Sequence, residues 1–149
     1  MKTIFDKTTH DEIIGRLDNL TANSTRQWGK MSPSQALEHC SRALEAASGK
    51  NPMKHALIGK LISWAVKKSF FSEKPMPKNS PTAPEFVIKD DPDFEATKAK
   101  LKTLTSEFSA LGEAKTDGNM HSFFGKLSGK EWGILQYKHL DHHLLQFGC

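Results

Sequence analysis

Apolar residues recur at helical spacing along most of this chain. Ile13, Ile14, Leu17 and Leu20 fall three or four positions apart, which predicts a first helix over about residues 10–20. Thr8 or Thr9 precedes it, and from Thr9 the carboxylate of Glu12 stands where a capping box needs it. Residues 21–31 carry turn chemistry instead of periodicity, with Trp28 and Met31 expected to pack as a plug. Ser32, Pro33 and Gln35 then give the strongest helix start in the sequence. They supply a hydroxyl cap, a first residue that needs no donor, and an amide that returns a bond to the cap. The second helix is expected to stop at Gly49, with Ala36, His39, Cys40, Ala43, Ala46 and Ala47 on its inner stripe and Glu38 turned to solvent. A third amphipathic stretch spans about residues 54–70, with Leu57, Leu61, Trp64 and Ala65 on its apolar face. Residues 72–91 hold four prolines and are expected to wrap the bundle as an ordered loop that borders a functional site. Asp91 or Asp93 opens the next helix, whose Phe94, Leu101, Leu104 and Phe108 share a side and which Gly112 ends. After a loop over 113–127, Ser128 and Glu131 cap a last helix that reaches Phe147. No strand-period segment stands out. The pattern predicts one all-α domain over residues 1–149, built as a four-helix bundle.

Composition changes this picture little. Charged residues make up 26% and hydrophobic residues 37%, a soluble globular balance. The net charge of +4 reads as a small excess spread along the chain. Lys54, Lys60, Lys67 and Lys68, with Trp64, Phe70 and Phe71 among them, are the nearest approach to a basic stripe. A solvated helix face is the plainer account of them, so no nucleic acid is expected. The apolar segment over 56–71 is too short and too charged to span a bilayer, and no membrane partner is expected. The opening MKTIFDKTTHDE holds no apolar stretch of signal-peptide length. Two cysteines, Cys40 and Cys149, suit a reducing compartment, so the expected location is the cytoplasm.

The histidines carry the candidate chemistry. His139 and His143 lie four apart on the last helix, on one face and about 6 Å apart along the axis. Trp132 and Leu135 precede them on that face and Gln146 follows, so the face points inward. Two imidazoles at this spacing can aim at one ion, each at about 2.0–2.1 Å. A metal site wants a third ligand, and His39 sits on the inner stripe of the second helix, where an unpaired imidazole would be costly. Periodicity leaves a second pairing open, His139 with His142. His121, before Phe123 and Phe124, is placed at a pocket mouth or in a structural role, and Cys40 reads either as core or as a nucleophile. Gln146 reads as a residue that holds a ligand ring or as a plain helix-end amide. His10 and His55 lack companions and are expected on the surface. Imidazoles with ordinary pKa values near 6.5 would release a metal as pH drops below that value.

Several of these strings resemble the DinB-like superfamily, the YfiT-like metalloenzymes, and an uncharacterised bacterial branch in particular. They are Arg26-Gln-Trp-Gly-Lys-Met31, Ser34-Gln-Ala-Leu-Glu-His-Cys40, and Phe123-Phe-Gly-Lys-Leu-Ser128 leading to Tyr137-Lys-His-Leu-Asp-His-His-Leu-Leu-Gln-Phe-Gly148. The middle of the chain, about 50–119, matches only loosely. The resemblance implies an up-down-down-up four-helix bundle. It also implies a divalent transition metal, often zinc or nickel, held by His39, His139 and His143. Relatives of that kind include bacillithiol transferases and mycothiol-dependent isomerases, and homodimers are common among them. No thiol-binding motif is visible here.

A three-histidine site with an open position lowers the pKa of a bound water or thiol. The leading expectation is therefore a metal-dependent transferase or hydrolase that acts on a small electrophile, with a low-molecular-weight thiol as a candidate partner. The alternatives are a stress-related scaffold with a structural metal, and a metal-free bundle that binds an apolar ligand with its histidines bonded to one another and to carboxylates.

Overall fold

The computed structural model describes residues 1–51, 53 and 57–149, and within 57–65 it describes side chains only at 63 and 64. The described chain is mostly helical: α1 (Lys7–Asn19), α2 (Pro33–Ala47), α3 (Leu57–Phe70), α4 (Phe94–Thr116) and α5 (Gly129–Gln146). A short 3-10 turn, Pro84–Phe86, interrupts the proline-rich loop.

Both capping boxes form as the residues dictate. The Ser32 Oγ accepts from the Gln35 backbone amide at 3.2 Å, and the Gln35 Oε1 accepts from the Ser32 amide at 3.0 Å. At the start of α5, Ser128 and Glu131 exchange the same pair of bonds at 3.3 and 2.9 Å. Asp93 caps α4 through the Ala96 amide.

α1 departs from expectation. It begins at Lys7, with Asp6 as a cap that makes no side-chain bond. Thr9 is buried inside the helix, and Glu12 pairs with Lys2 and Arg16 instead of closing a box. The cause is tertiary. Ile4 is fully buried and its amide donates to the Gly133 carbonyl, which fixes the approach to α1 and starts the helix early.

Gly112 ends the regular run of α4, as its place in the sequence predicts, and a short second helical stretch follows it within the same span. The Gly112 φ of 69° breaks the helical backbone, after which the chain resumes helical form as far as Thr116. The segment read as a loop over 113–127 also contains a hairpin, β1 (Met120–His121) and β2 (Gly125–Lys126), with His121 opposite Gly125. Two-residue strands are too short to leave a period in the sequence.

α2 packs on α4 and α5, α4 packs on α5 and α1, and α1 packs on α5. Ile13, Leu17, Leu44, Leu101, Phe108 and Trp132 fill the space between them. Among the described residues, α3 touches the β2 strand, and its Phe70 packs against the core. Its Trp64 is 79% exposed, contrary to the apolar face expected there. The other residues of that face, Leu57, Leu61 and Ala65, fall outside the described side chains, and Lys54 and His55 fall outside the described residues. Glu38, expected in solvent, is half-buried and pairs with Arg42 and Lys100. His10 is half-buried too, with its ring 3.1 Å from the Ser106 hydroxyl.

No described helix is long and apolar enough to cross a membrane.

Candidate metal centre

α2 and α5 meet with their histidines facing. The ring centroids of His39, His139 and His143 stand 4.8, 4.8 and 4.9 Å apart, close to an equilateral triangle. One ring nitrogen from each lies within 4.8 Å of the others, a cluster that could hold a metal ion. A tetrahedral zinc with bonds of about 2.0–2.1 Å would set those nitrogens roughly 3.3 Å apart, so the triad needs only small ring rotations to fit.

Outer contacts aim two of the rings. The His39 Nδ1 lies 3.0 Å from the Phe86 carbonyl oxygen, which only accepts, so that nitrogen carries the hydrogen. The proline-rich loop thus borders the site, as its composition predicts. On α5 the Gln146 Nε2 donates to the Trp28 carbonyl at 2.9 Å, which leaves its Oε1 as the acceptor for the His143 Nδ1, also at 2.9 Å. Both rings therefore present a bare Nε2 to the centre. Backbone and amide acceptors of this kind accompany metal-bound histidines.

The third contact completes the picture. The His39 Nε2 and His139 Nε2 are 2.8 Å apart. Since the His39 Nε2 offers a lone pair, the hydrogen between them belongs to His139. A cation at the centre would require that hydrogen to move to the His139 Nδ1.

All three rings are neutral at physiological pH. Burial lowers His39 below the ordinary imidazole value, and the Phe86 bond only partly offsets it. Burial, reinforced by the neighbouring imidazoles, holds His139 well below that value. It drives His143 down to about 3, with His39 adding to the shift. Neutral imidazole is the ligating form. The pH limit of about 6.5 expected from ordinary imidazoles therefore moves downward.

His142 turns away from this centre. Its ring lies 5.6 Å from Trp28 and its side chain bonds to the Met76 backbone. His121 sits in the hairpin, where its Nδ1 accepts from the amides of Phe123 and Phe124 at 3.0 and 3.1 Å. Its ring rests against Trp132 at 5.6 Å. Cys40 is buried in the apolar core. Burial drives its thiol pKa up, so it stays protonated and cannot serve as a nucleophile at neutral pH.

Sequence reasoning missed Gln136. It is 2% exposed, and its Oε1 is buried with no hydrogen-bond partner among the described residues. Counting along α5, it shares a stripe with Trp132, His139 and His143, one turn before the histidines. The i, i+3, i+7 spacing was present in the sequence, but its neutral amide gave no chemical signal. Lys138 was missed as well. Its ammonium donates to the carbonyls of Phe70, Ser72 and Lys74 at 2.6, 3.0 and 2.7 Å and so fastens the start of the proline-rich loop beside His139.

A family model described as a protein of unknown function (DUF1569) matches residues 3–148. No curated protein and no solved structure matches the chain.

Proposed function

We propose, for a chain that belongs to the DUF1569 family, a metal-dependent enzyme whose ion is held by His39, His139 and His143. One observation carries this reading. Two of the three rings are turned by outer acceptors so that their unprotonated nitrogens converge, and all three are kept neutral by burial. A divalent ion at that point supplies Lewis-acid chemistry, lowering the pKa of a water or thiol that it binds.

The residues of the chain then have separate tasks. Phe86 and Gln146 fix the ring orientations, Trp28 fixes Gln146, and Lys138 fastens the loop that brings Phe86 into place. Gln136 offers an acceptor for a hydrogen-bond donor on a bound small molecule. Zinc or nickel suits three imidazoles. The substrate class is a small electrophile, with transfer to a low-molecular-weight thiol or hydrolysis as the reaction. The mutual packing of α1, α2, α4 and α5 supports an up-down-down-up four-helix bundle of the DinB-like kind, with α3 outside it. A cytoplasmic homodimer completes this reading.

The 2.8 Å contact between His39 and His139 favours a second reading, in which the rings are a hydrogen-bonded polar core with no ion. Elemental analysis of protein purified without a tag separates the two. The enzyme reading expects about one equivalent of a transition metal, lost in His39→Ala and His143→Ala and retained in His142→Ala. Full loading of the His143 variant would overturn the ligand assignment. Chelator-sensitive turnover in a screen of thiols against electrophiles would then identify the reaction.

A further inference from the structure

Two buried side-chain polar atoms lack a hydrogen-bond partner among the described residues, the Gln136 Oε1 and the Trp28 Nε1. Both belong to the surroundings of the three histidines. Gln136 stands one turn before His139 on α5, and Gln146, which donates to the Trp28 carbonyl at 2.9 Å, stands one turn after His143. The Trp28 side chain is half-buried. The ring of His142 packs near both it and His143, at 5.6 and 5.2 Å between centroids. Over the same indole lies the ammonium of Lys78, 4.3 Å from the ring centroid. Lys78 is exposed and forms no ion pair among the described residues. Two acids of the neighbouring segments are already engaged: Glu73 by the N-terminal ammonium at 3.0 Å, and Asp141, next to His142, by Arg16 at 2.6 Å.

From this combination we infer that Trp28 and Lys78 form a carboxylate subsite beside the metal centre, and that the substrate is a small molecule bearing a carboxylate. The substrate class rests on the metal reading above; the subsite itself does not. An indole N–H only donates, so its missing partner is an acceptor, and a buried donor left without one is costly. The ammonium held over the ring makes a negatively charged acceptor the best match. One oxygen accepts from two donors up to about 6 Å apart. The indole nitrogen belongs to the very ring that Lys78 covers, so one carboxylate can engage both groups. Phosphate is the poorer match, since the subsite offers a single cation and no arginine fork. A purely structural role, in which Lys78 covers Trp28, accounts for the cation–π contact but leaves the N–H without an acceptor. The charge of Lys78 also reaches His142, so the subsite and the histidines share one electrostatic environment.

Nuclear magnetic resonance of the full chain, labelled with nitrogen-15 and stripped of metal by chelator, tests the subsite. The chain has 3 tryptophans, and the indole N–H signal lost in Trp28→Phe belongs to Trp28. Titration with sodium butyrate in low-chloride buffer should move that signal downfield to saturation, while butanol leaves it in place. Lys78→Met should weaken butyrate binding about tenfold, the scale of one bond to a charged group. Lys78 is exposed, so this variant should unfold at the parent's temperature. Inorganic phosphate should bind more weakly than butyrate. The inference fails if butyrate leaves the Trp28 signal unmoved, if Lys78→Met binds butyrate as the parent does, or if phosphate binds more tightly. Cobalt-loaded protein then tests the link to the ion, with mercaptocarboxylates of three to six carbons set against the matching mercaptoalcohols. At the best chain length the carboxylate should bind about tenfold tighter, read from the sulfur-to-cobalt absorption band, and Lys78→Met should remove the preference. A preference absent at every length, or one that Lys78→Met leaves intact, overturns the substrate class. A protein that answers butyrate at Trp28 but takes up no cobalt overturns the metal reading and supports the subsite.

Discussion

The His39 Nδ1 donates to the carbonyl oxygen of Phe86, 3.0 Å away and 47 positions along the chain. A backbone atom of the proline-rich loop thereby decides which nitrogen of an α2 histidine faces the centre. The ring cannot be reoriented without moving the loop, so the loop and the site share one conformation.

Gln146 has the same duty for His143, and it can be altered by mutation. Gln146→Leu should lower metal affinity about 10–100-fold, as loss of an outer acceptor generally does. Gln146→Glu should retain most of it, since a carboxylate still accepts from the His143 Nδ1. Competition against a chromophoric chelator measures both. Equal loss in the two variants would indicate a packing role for the side chain.

The buried imidazoles make the metal-free protein sensitive to acid. Each ring binds a proton less readily folded than unfolded, so its contribution to stability is complete above about pH 6.5 and declines as pH falls toward the folded value. For His143 that window extends down to about 3. The slope is about 1.4 kcal/mol per pH unit for one ring and up to roughly 4 for three. Urea unfolding of chelator-treated protein across this range should show stability dropping with pH. Metal-loaded protein should keep its ion below about pH 6.5, the limit for ordinary imidazoles. Release near pH 6.5 would mean that the rings are solvated.

The Gln136 Oε1 has no hydrogen-bond partner among the described residues. Replacing the side chain with an apolar one of similar size removes a desolvated acceptor that costs about 1–3 kcal/mol. Gln136→Met should therefore raise the unfolding free energy by about 1 kcal/mol with metal content unchanged. Destabilisation would show that the amide is satisfied in solution.

A Cβ on Gly129 would lie 2.0 Å from the Glu113 carbonyl oxygen, an atom of the backbone that cannot swing aside. Gly129→Ala should cost about 3 kcal/mol, at the upper end for overpacking. It should also loosen the seat of α5 on the end of α4. Thermal unfolding measures the cost. An unchanged midpoint would mean that the two segments sit farther apart.

Lys138→Met should free the carbonyls of Phe70, Ser72 and Lys74 together. Hydrogen exchange over residues 72–91 should rise, and stability should fall by about 2 kcal/mol, the range for bonds to a charged donor. Unaltered exchange would show that the loop is held by Phe86 and the aromatic contacts alone.

Much of this protein was legible in its sequence. The cap boxes at Ser32 and Ser128 depend on residues three positions apart, and short-range chemistry of that kind is written directly in the chain. The i, i+4 spacing of His139 and His143 and the inward stripe of α2 have the same local origin. Packing between distant segments decided the rest. The choice of His143 over His142 required Gln146, Trp28 and His39 in place around the ring. α1 starts at Lys7 because Ile4 docks on Gly133, and Trp64 is exposed although its helical spacing suggested an inner face. Helix period and capping follow from neighbours within one turn, whereas the partner of a side chain a hundred residues away is fixed only when the helices meet.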